Sequence, residues 1–192
     1  MTLAALKADT HRQYGRFSWT RLLRGVLARR TFRVVVTMRL CQMAAASRGP
    51  LRVLLLPFKV LHRIATRRAG MDLPWQAAVG AGLAITHGWG LVLSPGATLG
   101  KNVTLFHGAT IGQRDRLAAD GTRITEYPVL EDEVWVGPHA IIVGGVTVGR
   151  GSRIAGGAFV TDRIPPYAIV AGNPATIVKE GGQPDVVNLA PI

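Results

Sequence analysis

Residues 85–112, ITHGWGLVLSPGATLGKNVTLFHGATIG, hold two His-Gly pairs, His87-Gly88 and His107-Gly108, among aliphatics and glycines that carry almost no charge. An imidazole accepts and returns a proton near neutral pH, so a histidine at a cleft can strip a hydroxyl of its proton as the oxygen attacks an acyl carbon. A lone histidine in such a setting serves equally well as a hydrogen-bonded structural group. Two in register, beside an insertion able to wall a cleft, point to a site. Other chemistries have less to stand on. Cys41 is the single cysteine and lies in a stretch of helical patterning, and no motif presents a serine nucleophile, so an acyl-enzyme is not expected. No cluster has metal-ligand spacing, and no metal is expected.

Whether the two rings meet depends on the elements that carry them. After Gly70 aliphatics recur every six residues: Val79, Ile85, Leu91; then Leu99, Leu105, Ile111; then Leu130, Val136, Ile142, Val148, Ile154, Val160. Two extra residues separate the first series from the second, and a polar insertion, 113–129, separates the second from the third. A six-residue step suits short strands joined by tight turns, three steps closing one coil of a triangular solenoid whose stacked coils bury an aliphatic column. A two-layer sandwich would alternate at period two, with turns every eight to twelve residues or so. Each histidine lies two places after a column residue, Ile85 or Leu105, and three steps separate those two. The rings are therefore expected on one edge of adjacent coils, backbones about 4.8 Å apart. His139 falls three places after Val136, off that edge, and is read as surface; His11 and His62 are unassigned.

Charge divides the chain. Residues 1–70 hold fifteen of the 23 Lys and Arg and a single acid, Asp9, whereas 71–192 hold eight bases and ten acids. From Trp19 to Arg68 apolar residues and arginines mix at spacings of three and four, which predicts two or three helices broken at Pro50 and Pro57. Such a basic end suits an anionic membrane surface or an acidic partner, or is simply a solvated helix face. The longest oily piece, 53–61, contains Pro57 and Lys59, so no membrane-spanning helix is expected. The first twenty residues lack the apolar core of a secretory signal, and one cysteine makes no disulfide framework; a cytoplasmic location is the expectation, peripheral to the inner membrane face if the helices touch lipid.

The repeat, with AITHGWGLVL, VTLFHGATIG, VWVGPHAIIVGGVTVGRGSRIAGGAFV and PPYAIVAGNPATIV, resembles the hexapeptide-repeat acetyltransferases, in particular the serine O-acetyltransferase branch and its colanic acid and exopolysaccharide relatives. The resemblance covers about residues 50 to 180 and implies a mainly β fold, a left-handed parallel β-helix, after an N-terminal helical region. It divides the chain into a basic helical region, 1–70, a β-helix domain, 71–178, with its insertion loop, and a tail, 179–192. It further implies homotrimers, with acetyl-CoA in grooves between subunits. Pairing of trimers through the N-terminal helices stays open. By this resemblance His87 is the general base and Asp72, fifteen residues earlier, orients it, although an Asp there also suits a turn or helix cap. His107 becomes a second polar wall for acceptor or oxyanion. Gly112, Gly137, Pro138, Ala155 and Gly156 line the pantetheine arm, and Lys179 meets a CoA phosphate; tight turns and plain surface charge explain the same residues.

Two departures bear on the acceptor. Where serine acetyltransferases clamp a free amino acid, this chain has Thr86 before the base, and Glu126 with Tyr127 before Pro128, so a carboxylate stands in place of a guanidinium. Arg123 offers a compensating charge. The expected activity is O-acetyl transfer from acetyl-CoA to a hydroxyl, first of a sugar in surface polysaccharide synthesis and, as the alternative, of serine. A rival of another class is a non-catalytic solenoid scaffold; nucleic acid is not expected as a partner.

Overall fold

Three parallel sheets, one to each face of a triangular prism, carry the six-residue columns in the computed structural model, which describes residues 3–192. On the first face Val79, Leu99, Leu130 and Val148 stack in register. On the second, Ile85, Leu105, Val136, Ile154 and Val170 do so, and on the third Leu93, Ile111, Ile142 and Val160. Every one of these side chains is buried. The strands are mostly two or three residues long because each face bends at once into the next. The stacked aliphatics thereby replace the core of an ordinary globule.

One column residue differs from the expected series. Leu93, not Leu91, pairs with Ile111, so the two extra residues fall between Ile85 and Leu93, in the corner that carries His87. Leu91 is just as buried, because the residue two places before each inward aliphatic also packs inside the corner, as Leu83, Ala97 and Val103 do. A six-residue count from Ile85 therefore lands on a true core residue of the wrong class. The register of Ile85 with Leu105 survives, since the insertion is absorbed in the turn.

Three α-helices fill the span from Trp19 on, as expected, α2 (Trp19–Ala28), α3 (Arg30–Ala46) and α4 (Leu55–Ala69), with a 3-10 turn over Pro50–Leu54, and α1 (Leu3–Tyr14) precedes them. Pro50 does interrupt the chain; Pro57 does not. It is the third residue of α4, where a backbone N–H would have no partner inside the helix anyway. Gly70 ends α4 in the left-handed conformation, its N–H turned back to the carbonyls of Thr66 and Arg67.

A buried ion pair sews helices to coils. The Asp9 carboxylate of α1 accepts from Arg39 Nε of α3 at 2.8 Å and from the N–H groups of Gly82 and Leu83 at 2.8 and 2.9 Å. Arg39 in turn donates to the carbonyls of Val79 and Gly80. The only acid of the first seventy residues is thus turned inward. The C-terminal tail closes the same seam: Arg12 donates to Val187 O, and Asn102 exchanges hydrogen bonds with the backbone of buried Ala190.

Candidate active site

The second and third faces meet at a corner that turns through left-handed backbone, and this corner repeats up the prism. Gly88, Gly108, His139 and Gly157 each follow an inward aliphatic of the second face by three places, with φ of 73°, 67°, 57° and 71°. His87 precedes the first of them and is itself left-handed, φ 64°. A side chain in that conformation costs on the order of 1 kcal/mol and persists where its surroundings hold it. Arg30, the first residue of α3, does the holding. Its guanidinium donates to the His87 carbonyl and, at 2.6 Å, to that of Ala69. It also stacks 3.7 Å over the Trp89 ring, and Trp89 lies flat on Gly70, where an added side-chain carbon would come within 2.4 Å of it.

The two histidines do meet. The rings of His87 and His107 lie 5.7 Å apart, centroid to centroid, in an edge-to-face arrangement. His87 is exposed and His107 half-buried. His139 corrects the expectation that it lies off this edge: its ring is 5.0 Å from that of His107, again edge to face. It reaches there because it occupies the corner place that its neighbours give to glycine, and its ring covers Gly108. That substitution pattern, His-Gly, His-Gly, Pro-His, was the signal in the sequence. His107 Nδ1 is buried without a hydrogen-bond partner, an arrangement proteins seldom tolerate unless the atom has a use. Among the described residues no group of His, Cys, Asp or Glu is disposed to hold a metal ion.

Asp72 is less engaged than expected. It bridges Val92 at the start of the third face, exposed, and among the described residues no hydrogen bond joins its carboxylate to His87. Thr86 stands beside His87 on the second face, at a cavity of about 440 Å³ enclosed by that face, α1, the α2–α3 junction and the C-terminal tail. Its walls include Arg29, Phe106 and Trp135, none singled out by the sequence. Phe106 and Trp135 pack at 4.7 Å, and Arg153 stacks on Trp135 while pairing with Asp185 at 2.8 Å.

The insertion does not wall this edge. It leaves from the corner between the third and first faces as a hairpin, Arg114–Leu117 against Arg123–Glu126, and the Tyr127 ring packs over Gly96 on that same corner. Arg123 pairs with Asp115 at 2.8 Å, and Glu126 lies 3.8 Å from Arg116. Gly112 belongs to the hairpin corner too, whereas Gly137, Pro138, Ala155 and Gly156 rise along the histidine corner. Gly137 is required by stacking alone, since a side-chain carbon there would meet the Gly156 N at 2.7 Å. Lys179 is exposed at the end of the antiparallel strand Thr176–Lys179.

Comparison with known proteins agrees with this geometry. A family described as bacterial transferase hexapeptide (six repeats) matches residues 127–162. The chain is 34% identical over 111 residues to serine acetyltransferase of Mycobacterium tuberculosis, 58% of this chain and 46% of that protein. Serine acetyltransferase of Brucella abortus in complex with coenzyme A superposes with a TM-score of 0.73 at 28% identity, over 93% of this chain and 68% of that one. The Neisseria gonorrhoeae enzyme in complex with serine gives 0.68 at 26%, over 91% and 68%. The chain spans 32% to 56% of the length of the first few curated relatives it matches.

Proposed function

We propose that this chain, which has the left-handed β-helix of the hexapeptide-repeat acetyltransferases and resembles their serine O-acetyltransferase branch, transfers an acetyl group from acetyl-CoA directly to a hydroxyl. The observation that carries the reading is the run of imidazoles on one coil edge, with His87 pinned in a left-handed corner and the rings of His107 and His139 stacked beyond it. His87 takes the hydroxyl proton as the C–O bond forms and returns it to the thiolate as the C–S bond breaks. Such a base contributes on the order of 10²- to 10⁴-fold. His107, its ring 5.7 Å from that of His87, serves as a donor to the acceptor or to the carbonyl oxygen. Acetyl-CoA supplies the activated acyl group, and the small residues Pro138, Ala155 and Gly156 above the histidines leave room for its arm.

Asp72 fits an orienting role once substrate draws the His87 ring toward the third face. Tyr127, Arg123 and Gly112, on the other corner, fit the same site only if a neighbouring subunit presents that corner to these histidines, which supports a homotrimer with sites between subunits.

Serine is the acceptor that the relatives' names favour, ahead of the sugar that the sequence put first. One observation keeps the sugar as a second reading: Arg123, the compensating charge that the sequence offers, is already held by Asp115. Release of CoA thiol from the assembled protein, followed with serine and with a panel of sugars, tests both. Turnover with serine supports the first reading, and turnover with a sugar but not serine moves the acceptor to the second. No turnover with either supports a scaffold.

A further inference from the structure

The geometry points to a docking surface for an anionic lipid bilayer on the outer face of α2 and α4, a property separate from the acetyl transfer proposed above. On α2 the residues Trp19, Leu23 and Leu27 recur at spacings of four and stand exposed, Leu27 at 70%. On α4 Leu56, Val60 and Ile64 do the same, Leu56 at 71%, with Val53 of the preceding turn at 75%. Spacing of four places each trio on one side of its helix. The two stripes belong to one surface. A groove of about 460 Å³ runs between the helices, with Val36 and Leu40 of α3 in it, Leu27 on one bank and Leu61 and Ile64 on the other. An apolar surface of this extent on a soluble chain marks an interaction site.

Its margin identifies the occupant. Arg24, Arg52, Lys59, Arg63, Arg67 and Arg68 surround the stripes, all exposed and none in an ion pair among the described residues. Residues 10–71 contain no acid at all, and Asp9 is consumed by Arg39. A second copy laid on this face would set guanidinium against guanidinium. An anionic bilayer instead gives the apolar stripe an acyl boundary to enter and the arginines a plane of phosphates. No helix among the described residues is long and apolar enough to cross a membrane, so the contact is with the surface.

The test is co-sedimentation of the full chain with vesicles of phosphatidylcholine alone and of phosphatidylcholine mixed with phosphatidylglycerol. Binding is expected only to the mixed vesicles and is expected to fade as salt is raised. Arg63→Gln with Arg67→Gln should weaken partitioning about 30-fold, at about 1 kcal/mol for each charge. Leu56→Asp with Val60→Asp should abolish binding while circular dichroism and assembly size stay unchanged. Equal binding to neutral vesicles, or no binding to either, overturns the inference. So does an Asp variant that splits a larger assembly of a protein that ignores lipid, which would give the face to a second copy.

Discussion

The helical and solenoid regions satisfy themselves in opposite ways. The coils turn their aliphatics inward, and surface charges of the coils, hairpin and tail pair with one another, in Arg116–Glu126, Arg123–Asp115, Arg150–Glu133 and Arg153–Asp185. The helices use their one acid internally and leave large apolar side chains and unpaired cations outside. A repeat whose neighbours complete each coil needs nothing further along its length. The helical surface, by contrast, is finished only by something outside the chain. The two regions meet at the Asp9–Arg39 seam and again where Arg30 grips the His87 corner, so the helices both hold the coils and aim the histidine.

The sharpest way to break this arrangement is at the seam. Asp9→Ala leaves Arg39 buried beside open N–H groups and should cost about 3–5 kcal/mol in urea unfolding. Next comes the contrast between the regions themselves. Ile111→Ala in the third column should cost about 2–5 kcal/mol, while Leu56→Ala on the exposed stripe should stay within about 0.5 kcal/mol. Equal losses at the two positions would contradict the division. Arg30→Gln should lower kcat roughly tenfold to a hundredfold, because the His87 corner loses its clamp, with CoA affinity unchanged by calorimetry and the thermal midpoint little moved.

The smallest effect concerns His62, wedged between α4 and the coils. Its Nε2 donates to Leu73 O at 2.7 Å, its Nδ1 lies 3.0 Å from Thr37 Oγ1, and burial pushes its pKa below the ordinary 6.5. The unfolded chain therefore binds the proton more readily. Stability from this group is complete above about pH 6.5 and declines as pH falls below it, to a floor once the folded-state pKa is passed. Denaturation midpoints at pH 7.5 and 5.5, on the order of a unit either side of that value, should differ less in His62→Gln than in the parent.

Much of the solenoid was legible because its code is local. The unbroken six-residue series from Leu130 to Val160 contains its own register, and the meeting of His87 and His107 follows from their places two residues after Ile85 and Leu105 in the earlier series. The rest failed for identifiable reasons. Leu91 misled because two residue classes face inward in each coil, and Pro57 because a proline in a first helical turn looks like one that breaks a helix. His139 escaped a count from Val136 because the left-handed corner swings its ring onto His107. The Asp9–Arg39 seam and the Arg30 clamp join residues 30 to 74 positions apart, and no periodicity reports contacts of that range. Which corner the hairpin leaves from was readable in principle from the position of 113–129 between Ile111 and Leu130.

The proposed acetyl transfer depends on His87 moving a proton, and its most direct test is CoA release by His87→Ala in the assembled protein, measured with the acceptor that the parent turns over. The expected result is a fall in kcat of about 10²- to 10⁴-fold with CoA affinity and assembly size retained. A variant that keeps kcat within about a factor of two of the parent would contradict it.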